Sequence, residues 1–335
     1  MMKFSLKIKC FIKYILALIC HYSGINRYII KKNKKLFILM FHRISNDVDH
    51  LHISISAANF KKSIYALLDY GDIVSLDDVV SKWPAKSSFS LTFDDGYSDV
   101  KILPDLIPNI PVTVYASTAF FDNQESFWMI QLESLILKST VKCIDLSEYN
   151  LGTIELKDDL QKQNALQLLN NEIKKFHPDI ITSIINELIS QIGAVESKNN
   201  DVFLSWSEAK HLHDNNIIIG AHTHNHKITT MISDDDLRLE IDISNKIIKD
   251  KIGKSPCHFA YPNGSADDIS EASRQILIDY GYKSAVTTIE GPNIKSDDIF
   301  RLQRINITQS RITKPIGGLS IAMLTTVIAN PLGIH

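Results

Sequence analysis

Short apolar runs alternate with helix-patterned segments along most of this 335-residue chain, and several of those runs stop at a residue that can carry chemistry. Leu36–Phe41 ends at His42, Ser88–Phe93 runs into Asp94-Asp95-Gly96, and 217–221 ends at His222. Further strand-like runs cover 111–116, 258–261, 284–288 and Leu302-Gln303. Between them, 60–70 has helical spacing at Phe60, Ile64, Leu67 and Leu68 and stops at Gly71. Ser205 and Glu208 form a capping box that opens a helix. Ser233 with Asp236 opens another, which Gly253 ends, and a third runs from Ser270 to Gly281. This alternation implies a mostly parallel sheet with helices outside, a class in which function collects at the carboxyl ends of strands. Residues 128–200 break the pattern with helical stretches at 160–176 and 180–192, and read as a helical insertion.

Hydrophobic residues at 44% against 22% charged allow a sizeable buried core, and a net charge of −2 gives no reason to expect nucleic acid as a partner. Cys10, Cys20, Cys143 and Cys257 form no CxxC pair and read as isolated thiols. The first 35 residues hold nine Lys or Arg and no acid, around an apolar cluster at 10–22 that Lys13 interrupts. That cluster is shorter than the roughly 20 residues a spanning helix needs, and Ile19-Cys20-His21 is a poor signal-cleavage site. Residues 1–35 therefore read as a basic amphipathic segment in peripheral contact with the cytoplasmic face of an inner membrane. A signal or anchor leading to a periplasmic or anchored protein, and a plain helix packed on its own domain, are the alternatives. The tail, 311–335, has no charged residue from Pro315 onward and either covers the barrel or touches lipid.

Two clusters carry the chemistry. In Leu91-Thr92-Phe93-Asp94-Asp95-Gly96-Tyr97, adjacent acids follow an apolar strand, and a nearby cation would relieve their mutual repulsion. A surface turn pair is the bland alternative. In Gly220-Ala221-His222-Thr223-His224-Asn225-His226, His222 and His226 can meet on one side of a turn. Two imidazoles and a carboxylate suit zinc and leave coordination positions open, whereas solvated loop histidines are the alternative. His224 is expected to stand outside the ligand set. No Gly-rich phosphate loop and no Gly-x-Ser-x-Gly elbow is present.

Thr92-Phe93-Asp94-Asp95-Gly96 and His222-Thr223-His224-Asn225-His226 resemble the first two motifs of the polysaccharide deacetylase family, the NodB-homology or carbohydrate esterase family 4 group. Phe259-Ala260-Tyr261-Pro262-Asn263-Gly264 resembles its third, and the likeness runs over about 36–307 apart from the insertion. The resemblance implies an α/β fold, a distorted (β/α) barrel with a helical insertion, as a deacetylase domain over 36–310. It implies Asp95, His222 and His226 as ligands of a divalent metal, Zn2+ first and Co2+, Ni2+ or Mn2+ as alternatives. Asp94 would be the general base, and the ion would polarise the acetyl carbonyl and acidify the attacking water. A backbone N–H near Tyr261 and Pro262 would help hold the oxyanion. Tyr97 is expected to line the cleft, and Trp128 to stack on a sugar or fill a core.

Two positions depart from the family pattern. Ala260 stands where many members carry the Arg that orients the base, so Arg304, with Arg301 as second choice, is the expected replacement. No late Leu-x-His motif supplies a general acid. Leu39-Met40-Phe41-His42-Arg43-Ile44 instead resembles the early strand motif of the biofilm poly-N-acetylglucosamine deacetylase branch, which assigns that role to His42. Asn263 also replaces a common Tyr. The expected reaction is removal of N-acetyl groups from hexosamines of a bacterial surface polysaccharide or its lipid-linked precursor. O-deacetylation of a glycan and a catalytically inactive carbohydrate-binding homologue are the rivals. An aspartyl phosphatase would want Asp-x-Asp rather than adjacent acids.

Overall fold

The computed structural model describes residues 2–47, 49–123, 125–194, 202–331 and 333. Seven strands form the central sheet: β1 Leu36–Phe41, β2 Ser88–Phe93, β3 Val112–Ala116, β4 Ile218–Ala221, β5 His258–Ala260, β6 Ser284–Glu290 and β7 Leu302–Asn306. They pair in the order β1-β7-β6-β5-β4-β3-β2, and β2 pairs back onto β1, so the sheet closes into a barrel. Every pairing is parallel. A two-residue strand, Asp72–Ile73, lies along the start of β2 outside the closure.

Period-two alternation sorts the strand residues. Phe37, Leu39 and Phe41 face outward with Phe89, Leu91, Phe93, Val112, Val114, Ile219, Ala221 and Phe259, and the surrounding helices bury them. Leu36, Ile38, Tyr115, Ala260, Val286 and Leu302 fill the interior, which Leu76 and Val79 of the helix Leu76–Ser81 close at its floor. Strands covered on both faces can be apolar throughout, as β1 is, whereas β2 alternates, with Ser88, Ser90 and Thr92 on the inward parity and Phe89, Leu91 and Phe93 outward. The same parity carries past the strand ends, so the even-numbered His42, Asp94, His222 and Arg304 belong to the inward set.

The helices named here are α1 Met2–Tyr22, α2 Ile25–Lys31, α3 Trp128–Lys138, α4 Asp159–Ile173, α5 Pro178–Ile192, α6 Trp206–Asp214, α7 Asp234–Ile252 and α8 Ile321–Ala329. The expected capping boxes and stops are in place: Ser205 and Glu208 exchange hydrogen bonds at the head of α6, and Gly253, at φ 90°, ends α7.

The insertion is α3, α4 and α5 around a core of their own that includes Leu132, Leu166, Leu169 and Leu188. It is not purely helical. Cys143–Asp145 and Thr153–Glu155 form an antiparallel pair, too short to show as alternation. Its expected end at 195–200 lies outside the described residues.

The apolar tail covers protein. In α8, Ala322, Leu324 and Ile328 are buried, and α1 and α2 lie against that helix. Asn26, fully buried, donates from Nδ2 to Thr325 Oγ1 at 3.1 Å and Thr326 Oγ1 at 2.8 Å, and His21 Nδ1 hydrogen-bonds Thr325 Oγ1 at 3.0 Å. The last residues of the tail, 332 and 334–335, are outside the described set.

Candidate metal centre and active site

Strand register assembles the site. Phe41 pairs with Phe93, and the Asp94 N–H donates to Phe41 O at 3.0 Å, so His42 and Asp94 leave adjacent strands side by side. Ala116 pairs with Ala221, and the His222 N–H donates to Ala116 O at 3.0 Å. Phe259 also pairs with Ala221, which sets Ala260 O beside His222. Ile38 pairs with Arg304 two residues below the rim of β7.

Arg304 is wholly buried, with its guanidinium forked onto Asp94: Nη1 to Oδ1 and Nη2 to Oδ2, each 2.7 Å. Nε donates to Thr287 O at 2.6 Å and Nη1 also reaches Thr92 Oγ1 at 3.3 Å. Burial alone would raise the Asp94 carboxyl. The Arg304 ion pair, helped by His222 and His42, outweighs it and holds the carboxyl below the usual carboxylate range. Asp94 is therefore an ionised acceptor fixed in one orientation. Arg301, the second choice, pairs with Glu271 on the surface.

Asp95 Oδ1 stands 3.4 Å from His222 Nε2 and 3.3 Å from His226 Nε2, and the three ligand atoms lie within 4.8 Å of one another. His222 Nδ1 lies 2.7 Å from Ala260 O, a group that only accepts, so Nδ1 carries the proton and the neutral ring has its lone pair on Nε2, toward Asp95. Asp95 Oδ1 is buried and has no hydrogen-bond partner among the described residues. Lone pairs thus converge on one point, an arrangement a divalent cation satisfies.

The loops that carry these ligands are unusual. Asp95 and His226 both have positive φ, 69° and 55°, a conformation that costs a non-glycine residue energy and recurs at functional sites. Gly96 follows at φ 78°, where a Cβ would lie 2.3 Å from the Phe121 ring. The histidine loop is propped by Glu240 of α7, a residue missed in the sequence. Its carboxylate accepts from the N–H groups of His224 at 2.9 Å and Asn225 at 2.7 Å and from Asn225 Nδ2 at 2.9 Å, with Lys227 3.2 Å away. An acid on the buried face of α7, among Leu237, Ile241 and Ser244, was the readable signal. His224 turns away to Thr118 Oγ1 at 2.8 Å and takes no part in the cluster.

His42, Asp94, Asp95, His222, His226 and Tyr261 line one cavity of about 580 Å3. Trp128, at the head of α3, also lines it, with Asn170 of α4 and Lys174 just after that helix, so the insertion forms one wall. His42 Nδ1 is buried with no hydrogen-bond partner among the described residues.

Three expectations need correction. Tyr97 is completely buried, stacked on Phe203 with Arg43 over its ring, and does not line the cavity: the left-handed turn at Asp95-Gly96 sends it into a neighbouring core. Pro262 is buried and also absent from the wall. The Tyr261 N–H donates to Val286 O at 3.1 Å, so strand pairing occupies it, and Pro262 has no N–H to offer an oxyanion. Asn263 and Asn306 do line the cavity.

Residues 162–285 match the family model for polysaccharide deacetylases, a stretch that includes the histidine motif and begins downstream of Asp94-Asp95. No curated protein sequence gives a match. Among solved structures, the fold resembles a Bacillus cereus polysaccharide deacetylase (TM-score 0.55, 15% identity, covering 88% of this chain and 68% of that one). It also resembles the Streptococcus pyogenes deacetylase PplD in complex with acetate (TM-score 0.54, 17% identity, 84% and 95% covered). A third is IcaB from Ammonifex degensii (TM-score 0.54, 14% identity, 82% and 92% covered). Identities this low establish the shared barrel and nothing finer.

Proposed function

We propose, from the premise that this chain carries a polysaccharide deacetylase domain and is a deacetylase, that it removes N-acetyl groups from hexosamines of a bacterial surface polysaccharide or its lipid-linked precursor, using a divalent metal. The carrying observation is a buried carboxylate oxygen, Asp95 Oδ1, that faces two imidazole nitrogens with no hydrogen-bond partner among the described residues, in one cavity with an arginine-clamped acid.

Asp95, His222 and His226 would hold the ion, and two imidazoles with one carboxylate favour Zn2+, with Co2+, Ni2+ or Mn2+ as substitutes. Bound there, it would supply Lewis acidity toward the acetyl carbonyl and the attacking water. Asp94 accepts the water's proton. Arg304 takes one fork to each carboxylate oxygen and leaves the remaining lone pairs free for that transfer. His42, on the same wall, donates a proton to the leaving nitrogen as the C–N bond breaks, giving acetate and an amine. Trp128 offers an aromatic face beside the cavity for a sugar ring.

The test is acetate release from N-acetylated and O-acetylated hexosamine oligomers by the wild type and Asp94→Asn. Release from the N-acetylated series that Asp94→Asn abolishes supports the reading. Release from O-acetyl groups alone replaces it with an esterase, and release that survives Asp94→Asn removes Asp94 from the reaction.

A further inference from the structure

The geometry points to α1 and α2 as a docking surface for an anionic lipid bilayer, on which the barrel sits as a peripheral protein. This goes beyond the proposed reaction and does not depend on it.

α1 has two faces. Ala17 and Cys20 are buried and His21 hydrogen-bonds α8, while Ile8, Phe11, Ile12, Ile15 and Ile19 project outward, the last four each 39–57% exposed. The outward set recurs at spacings of three, four and seven, one stripe of a helix. Tyr22, Ile25 and Tyr28 extend the apolar surface across the 67° bend into α2, whose other side is fixed to α8 through Asn26 and buries Ile30 in the core. Of the exposed large hydrophobic residues in the described chain, no other stretch gathers so many. A contiguous exposed apolar patch marks an interaction surface rather than scatter.

Charge selects the occupant. The first 35 residues carry nine Lys or Arg and no acid. Apposing the stripe to its copy on a second chain would bring two such sets together, whereas anionic headgroups neutralise them. A span is the wrong geometry: no single described helix is long and apolar enough to cross, and the bent pair that passes by length and composition is held on one side by α8. A helix lying in the interface, apolar face down and basic residues at headgroup level, fits both features.

The full-length protein is sedimented with vesicles of phosphatidylcholine alone and of phosphatidylcholine with phosphatidylglycerol, at low and high salt. Expected is binding to the anionic vesicles that weakens as salt rises. Ile12→Asp with Ile19→Asp should lower it at least about tenfold, and Lys9→Glu with Lys13→Glu should act in the same direction. Because these side chains are exposed, acetate release from a water-soluble oligomer and the melting temperature should not change, which separates this outcome from failure of the enzymatic reading. Equal binding of wild type and both variants, or no binding to anionic vesicles, overturns the proposal. So does a wild-type dimer in solution that Ile12→Asp with Ile19→Asp converts to monomer.

Discussion

Replacing Arg304 with Met removes a cation from the inside of the barrel and leaves its partner there. Asp94 is 2% exposed and loses both 2.7 Å contacts, while Thr287 O loses its 2.6 Å donor. Breaking one side of a buried ion pair costs about 3–5 kcal/mol, against about 0–1 kcal/mol for an exposed pair, so the loss should be several-fold larger than for any surface arginine. The loss should also depend on pH. In the wild type the Asp94 carboxyl is held below its unfolded value of about 3.9. The pair's contribution is therefore fully present above that value and fades as pH falls through the folded one. In Arg304→Met, burial is left as the dominant influence and raises the carboxyl, so the folded variant takes up a proton more readily than the unfolded chain and recovers stability as pH falls. The difference between the two proteins should shrink from pH 7 to pH 5. Urea unfolding in excess EDTA, which removes metal linkage, measures it, and Arg304→Met with Asp94→Asn should lose less than the two single variants added together. A pH-independent loss below about 1 kcal/mol would refute the reasoning.

His42→Ala should lower kcat by about 10²- to 10⁴-fold with metal content unchanged, read by single-turnover acetate release. Glu240→Ala leaves three donors of the histidine loop unpaired and should weaken metal affinity about 10- to 100-fold, measured by competition with a chromophoric chelator, while His224→Ala should not. Burial, outweighing Asp77, lowers the His258 pKa, so the unfolded chain protonates first and stability should fall as pH drops below about 6.5. The melting temperature of His258→Gln should decline less between pH 7.5 and pH 5.5 than that of the wild type.

Much of the barrel was readable because its strands make either a solid apolar run, as in β1, or a strict alternation, as in β2, and both carry the bounds their residues imply. The polar residues at strand ends stood out because His42, Asp94 and His222 directly follow such strands. Arg304 over Arg301 follows from parity with Leu302, an inward residue two positions earlier. What failed depended on backbone conformation or distant partners. A left-handed Asp95 turns Tyr97 away from the cavity, and pairing to Val286 consumes the Tyr261 N–H. The pair Cys143–Asp145 with Thr153–Glu155 offers three residues a side, too few for a period, and Glu240 meets its loop from fifteen residues downstream.

The account rests on lone pairs of Asp95, His222 and His226 converging on one cation. Metal content of the purified protein by mass spectrometry, with acetate release followed through chelation and Zn2+ re-addition, tests that directly. One divalent ion per chain, activity that leaves and returns with it, and its loss in Asp95→Ala and His226→Ala are predicted. Full acetate release from a metal-free protein, or a bound ion unaffected by either substitution, would contradict it.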